Sequence, residues 1–232
     1  MRHFYLLIAI CFLSPVMWAV TNDPLSNLKP QREAIAHYLQ SADMHSTVFT
    51  GREHEKYPLH YKNHPWFQSD NYSKATIYIN GMIYPDIQLK WDLYKDQLVI
   101  SPENSPYNIV TNADSAFLYN QKVCKLPFQN NQLPFGYVIV LHEGHNTLYL
   151  KHLVHFRERV ESGQLVSSFA IRKTFWLSQA EGMTKITRLR DVTRLYPQHR
   201  REIRSFLKNN SLNYRKNPEL ALTSLMEYLD QL

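Results

Sequence analysis

The stretch Ile87-Gln88-Leu89-Lys90-Trp91-Asp92-Leu93-Tyr94 alternates apolar and polar side chains. Successive residues of a strand point to opposite faces, so this pattern fits a strand that is buried on one side and wet on the other, as in antiparallel sheets. Trp91 shares the apolar phase with Ile87, Leu89 and Leu93 and is expected in the core. Comparable runs follow one another along the middle of the chain. One spans Ala75 to Ile79 and leads through the Asn80-Gly81 turn into the alternating stretch, and Leu98 to Ile100 follows the Lys95-Asp96 turn. Others cover 108–111, 115–119, 123–126, 137–141, 147–156, 168–177 and 183–188. Gly51, Gly81, Gly136, Gly144, Gly163 and Gly182 all fall at predicted turns or strand edges, and no group of them forms a phosphate-cradling cluster. About nine or ten short strands predict a meandering antiparallel sheet that curls into a barrel, half-barrel or sandwich.

Helical periodicity appears only at the two ends. Leu28, Ile35, Ala36 and Leu39 predict a helix over 24–41 with Pro30 near its first turn. After residue 190, Asp191 is placed to cap a short turn and Pro197 to open a helix carrying Ile203, Phe206 and Leu207. Asn217-Pro218 opens a last helix with the apolar stripe Leu222, Leu225, Met226 and Leu229. Between the first helix and the sheet, Thr47 to Tyr72 reads as a long surface-hugging loop, with His54, His60 and His64 set among Tyr57, Tyr61, Trp66 and Phe67. The expected class is α+β with β dominant, an N-terminal helix, and C-terminal helices on one face or end of the sheet.

Residues 1–19 have the form of a removable secretory signal: Arg2 and His3, an apolar run from Phe4 to Val16, then Met17-Trp18-Ala19. The run is shorter than the roughly 20 residues that span a bilayer. Removing 19 of the 232 residues leaves 213, enough for a single domain over 20–232 whose 191–232 segment is helical. An exported chain, periplasmic or outer-membrane-associated, is expected. Cys124 is then the one cysteine left, so no internal disulfide is available and packing must supply stability.

The net charge of +6 is unevenly distributed. Lys185, Arg188, Arg190, Arg194, Arg200, Arg201, Arg204, Lys208, Arg215 and Lys216 face only Asp191 and Glu202 within one stretch. Such a run is either a solvated face or a contact for anionic lipid head groups, acidic glycans or nucleic acid, and export argues against nucleic acid. Arg200, Arg201 and Arg204 are the candidate contact residues.

Several segments resemble one family. These are Thr50-Gly51-Arg52-Glu53, His64-Pro65-Trp66-Phe67, Tyr78 to Tyr84, Leu89 to Val99, and the ending Tyr214 to Asn217 before Ala221 and Glu227-Tyr228. Together they are similar to a family of uncharacterised secreted proteins of Bacteroidota. The resemblance covers most of the chain after residue 19 and implies export and a single domain. It implies no activity.

The segments with catalytic or metal-binding potential are few. His142-Glu143-Gly144-His145 places its histidines three apart around a glycine, which suits a hairpin tip and not the four-residue spacing of a helical zinc motif; His142 and His145 flank that tip, so convergence across it stays open. His152 and His155 point to opposite faces of one strand. No serine stands in a nucleophile elbow, Cys124 reads as a core or edge residue, and Asp92 and Asp96 read as solvated hairpin carboxylates. Tyr78, Tyr84, Tyr94 and Tyr149 fall on the polar side or at the end of strands, where rings either pair across strands or stack on sugars or a protein partner. No cofactor or metal is indicated. The leading functional expectation is a non-catalytic envelope protein that binds a protein, glycan or lipid. The alternatives are an accessory subunit of an outer-membrane assembly and a hydrolase with a site assembled from separate strands. A lipid carrier within the first class requires an open half-barrel with an apolar concave face.

Overall fold

The computed structural model describes residues 30, 33–35, 37–38, 47–58, 61–103, 105–129 and 133–232. The expected signal segment lies outside them. Of the expected first helix, residues 30, 33–35, 37 and 38 are described, and all are helical.

Among the described residues eleven strands form a single sheet: β1 (Arg52–Glu53), β2 (Ser73–Ile79), β3 (Met82–Asp92), β4 (Gln97–Ile100), β5 (Ile109–Thr111), β6 (Ser115–Leu118), β7 (Gln121–Leu126), β8 (Gly136–Glu143), β9 (Thr147–Glu161), β10 (Gln164–Gln179) and β11 (Gly182–Ile186). Three helices follow, α1 (Leu189–Leu195), α2 (Arg200–Asn209) and α3 (Pro218–Leu229). The strand order is β1-β5-β4-β3-β2-β6-β7-β8-β9-β10-β11, with the named neighbours paired antiparallel and β1 and β11 at the two edges. The meander is thus observed, but as one open sheet. It is neither a closed barrel nor a two-sheet sandwich.

The sheet is strongly curled. β3 and β9 are five strand spacings apart in the order, about 24 Å if the sheet were flat at about 4.8 Å per strand, yet the rings of Trp91 on β3 and His152 on β9 have centroids only 5.9 Å apart. Lys151 Nζ likewise lies 2.7 Å from Oδ2 of Asp96 in the β3–β4 turn. The result is a half-barrel with its apolar phase facing inward.

That inner face carries Ile77, Tyr84, Ile87, Leu89, Trp91, Leu98, Ile100, Ala116, Leu118, Val123, Ile139, Leu148, Leu150, Phe175 and Leu177, all buried in one core with Val192, Ile203, Leu222 and Leu225 of the helices. Ile87, Leu89, Trp91 and Leu93 share the buried phase as their alternation predicts. Tyr84 does not follow its expectation: it is 3% exposed, because it pairs with Ile77 in register and points into the core.

The C-terminal helices start where local chemistry allows. Asn217 accepts the Leu220 N–H at 3.2 Å, and Pro218 sits in the first turn, where a missing N–H costs nothing. Asp191 accepts from the backbone of Thr187 and Arg188 and so caps α1. Pro197 does not open a helix as expected. It lies in the turn between α1 and α2, and α2 begins at Arg200 behind His199. The described part of the loop from 47 to 72 contains two elements unforeseen in the sequence, a short 3-10 helix at Thr47–Phe49 and β1, which closes the sheet edge on β5.

Candidate functional site

A cavity of about 620 Å³ opens on the concave side. Its floor is made by Ile139, Leu150, His152, Ile171 and Lys173 of β8, β9 and β10; Trp66, Phe67 and Leu93 wall one side, and Gln121 of β7 and Glu219 of α3 complete it. The register explains the floor. Leu150 and His152 share a face of β9, and Phe175 and Lys173 stand directly across from them on β10. The backbone of Phe67 donates to the carbonyl of Trp91 at 2.9 Å, and Leu93 donates to the carbonyl of Pro65 at 3.0 Å, which fixes the Trp66-Phe67 wall against β3.

Two polar groups in this lining lack a protein partner. Nδ1 of His152 and Oε1 of Gln121 are buried and accept or donate no hydrogen bond within the described protein, and Nε1 of Trp91, packed against His152, is in the same state. Burial, reinforced by the charges of Lys173 and Lys151, pushes the His152 imidazole down to about 4, so it is neutral at physiological pH. At the mouth, Lys173 Nζ and Glu219 Oε2 form an ion pair at 2.5 Å that joins β10 to α3. A second cavity of about 690 Å³ lies on the other side of this pair and shares Gln121, Ile139, Lys173 and Glu219 with the first. Neither His152 nor Lys173 was singled out as a ligand contact in the sequence. The signal was available: each is a polar residue in the apolar phase of its strand, and the two are direct cross-strand neighbours.

Asp92 overturns its sequence reading. It is fully buried, because His54, Tyr57 and Trp66 fold over the polar face of β3. Its Oδ2 accepts from Tyr57 at 2.7 Å and pairs with His54 Nε2 at 2.9 Å, while Oδ1 accepts the backbone N–H groups of Tyr94 and Lys95. All its acceptor capacity is used in tying the loop to the β3–β4 turn. Among the described residues no serine, threonine or cysteine is hydrogen-bonded to His54. Asp96 is also not simply solvated, since it pairs with Lys151. Lys90 lies 4.2 Å from the centroid of Trp66 and 4.7 Å from that of Tyr72, and its burial lowers the ammonium pKa.

The histidine hairpin forms at Gly144 as expected, with β8 ending at Glu143 and β9 beginning at Thr147. His142 Nε2 meets Asp230 Oδ2 at 2.7 Å and His145 Nδ1 lies 3.7 Å from Asp230 Oδ1, so the hairpin docks the C-terminal end of α3. A Cβ on Gly144 would collide with the Asp230 carboxylate, which is why the tip has no side chain. His152 and His155 lie apart from this pair, one buried and one exposed. Among the described residues no three His, Cys, Asp or Glu side chains gather as metal ligands would. Burial pushes the Cys124 thiol up, away from nucleophilic character.

Of the four polar-phase tyrosines, Tyr78 and Tyr149 are half-buried and four strands apart in the sheet, and Tyr94 packs on Phe156 and Phe169. They do not form one stacking platform. Arg200, Arg201 and Arg204 are all exposed on α2, which buries Ile203 and Leu207.

Comparisons with protein-family models, curated proteins and solved structures gave no match.

Proposed function

We propose that the chain is a non-catalytic exported envelope protein whose half-barrel takes up an amphiphilic small molecule, a lipid with an apolar body and a hydrogen-bonding end. One observation carries this reading. A cavity with apolar and polar walls, of a size typical for small-molecule sites, has His152 and Gln121 in its lining, each with a buried hydrogen-bonding atom that no group of the described residues satisfies. Leaving such atoms unpaired costs roughly 1–3 kcal/mol each, and a ligand with an acceptor and a donor at one end recovers that cost. The apolar remainder would lie on Ile139, Leu150, Ile171 and Phe67. The neutral imidazole offers one donor and one acceptor without the penalty of a buried charge.

The test is organic extraction of the protein purified from its own envelope without detergent, followed by mass spectrometry. Near-stoichiometric recovery of one lipid class, lost in His152→Phe, supports the reading. A wild-type protein that yields no organic molecule and binds no fluorescent fatty acid overturns it.

A further inference from the structure

Arg200, Arg204 and Lys208 recur at four-residue spacing and Arg201 lies beside them, so all four cations share one side of α2. They enter no ion pair among the described residues. The two acidic residues of the basic stretch are occupied elsewhere: Glu202 pairs with His199 at 3.0 Å, and Asp191 is spent on the cap of α1, accepting from Thr187 and Arg188. Ile203 and Leu207 of α2 are committed to the core, and the four cations occupy the arc beside them with their side chains exposed.

We propose that this face of α2 docks the protein on an anionic lipid surface. The rings nearest the arginines are half-buried and packed within the fold, which favours head groups over sugars or nucleic acid. The aromatic neighbours are engaged internally, Phe206 stacked on Tyr228 with centroids 4.3 Å apart and Tyr196 hydroxyl accepting from Asn146. Sugars and bases are recognised through stacking as well as charge, whereas a plane of head groups requires charge alone. The apolar side of α2 is used in the core, so the contact is peripheral and Coulombic. The proposal goes beyond cargo binding and does not need it, since vesicle binding is read without any ligand in the half-barrel.

The experiment is co-sedimentation of the signal-free chain with phosphatidylglycerol–phosphatidylcholine vesicles and with phosphatidylcholine vesicles alone, beside a heparin column. Binding is expected to the anionic vesicles only, and to collapse as the screening length falls from about 10 Å at 0.1 M salt to about 3 Å at 1 M. Each cation near such a surface contributes enough that R200Q/R201Q/R204Q should weaken binding roughly tenfold or more. R200K/R201K/R204K should bind like the parent. R52Q/R157Q/R172Q removes three exposed arginines elsewhere and should also bind like the parent. Equal loss in that control would show a net-charge effect and overturn the docking surface. Equal binding to uncharged vesicles, or heparin retention without vesicle binding, overturns it too. An unchanged thermal midpoint in the α2 variant excludes unfolding as the cause of a loss.

Discussion

The indole of Trp91 stands edge-on to the imidazole of His152, with centroids 5.9 Å apart and planes at 89°, although their strands are five spacings apart in the sheet. Trp91 is thus a contact that holds the curl and not only a member of one strand. It is 1% exposed and also packs against Phe67 and Tyr137. Trp91→Ala should cost on the order of 3–5 kcal/mol, read from the urea midpoint. A midpoint that does not move contradicts both the register and the curl.

His152 makes the fold sensitive to mild acid. In the unfolded chain the imidazole takes its proton near its ordinary 6.5, whereas in the folded chain it does so only near 4, chiefly because of burial. Between these values the unfolded state binds more protons, so stability falls as pH drops from 6.5 towards 4, by on the order of 3 kcal/mol at most. Denaturation at pH 7 and pH 4.5 should show that loss in the wild type and a smaller one in His152→Gln. Identical pH profiles for the two chains would remove His152 as the cause.

The pair His142–Asp230 fastens α3 to the β8–β9 hairpin, with both side chains mostly covered. Asp230→Ala removes the partner of His142 and should cost about 1–2 kcal/mol, with faster amide exchange in α3. Gly144→Ala should loosen the same contact, because its new methyl group would occupy the space of the Asp230 carboxylate. Unaltered exchange in α3 for both variants would show that the hairpin does not hold the helix.

Export has its own readout. N-terminal sequencing of the protein recovered from the cell envelope should begin near Val20, and an intact Met1 there would contradict it.

The strands were legible because their alternation is local: the phase of Ile87, Leu89, Trp91 and Leu93 is the phase found buried. Asn217-Pro218 was legible for the same reason, as a cap written in adjacent residues. Asp92 was not. Its burial depends on His54 and Tyr57, more than thirty residues earlier, folding over the strand's polar face, and period-2 alternation carries no information about a loop that covers it. The outer halves of β9 and β10 were cut short because Arg157, Glu158, Arg159 and Glu161 hide the pattern, and this ribbon is held by its cross-strand pairing instead of by burial. The cavity lay between these cases. His152 and Lys173 visibly interrupt apolar phases, but only the curl of the sheet turns those interruptions towards one space.

The most direct measurement on the cavity is a titration of a solvatochromic fatty acid against the wild-type chain and Ile171→Trp. Ile171 lines the cavity yet remains 44% exposed, so a larger side chain there narrows the entrance with little demand on the core. Saturable blue-shifted binding at one probe per chain in the wild type, lost in Ile171→Trp at an unchanged thermal midpoint, is the predicted result. Equal binding by the two chains, or no saturable binding by either, would contradict a ligand site inside the half-barrel.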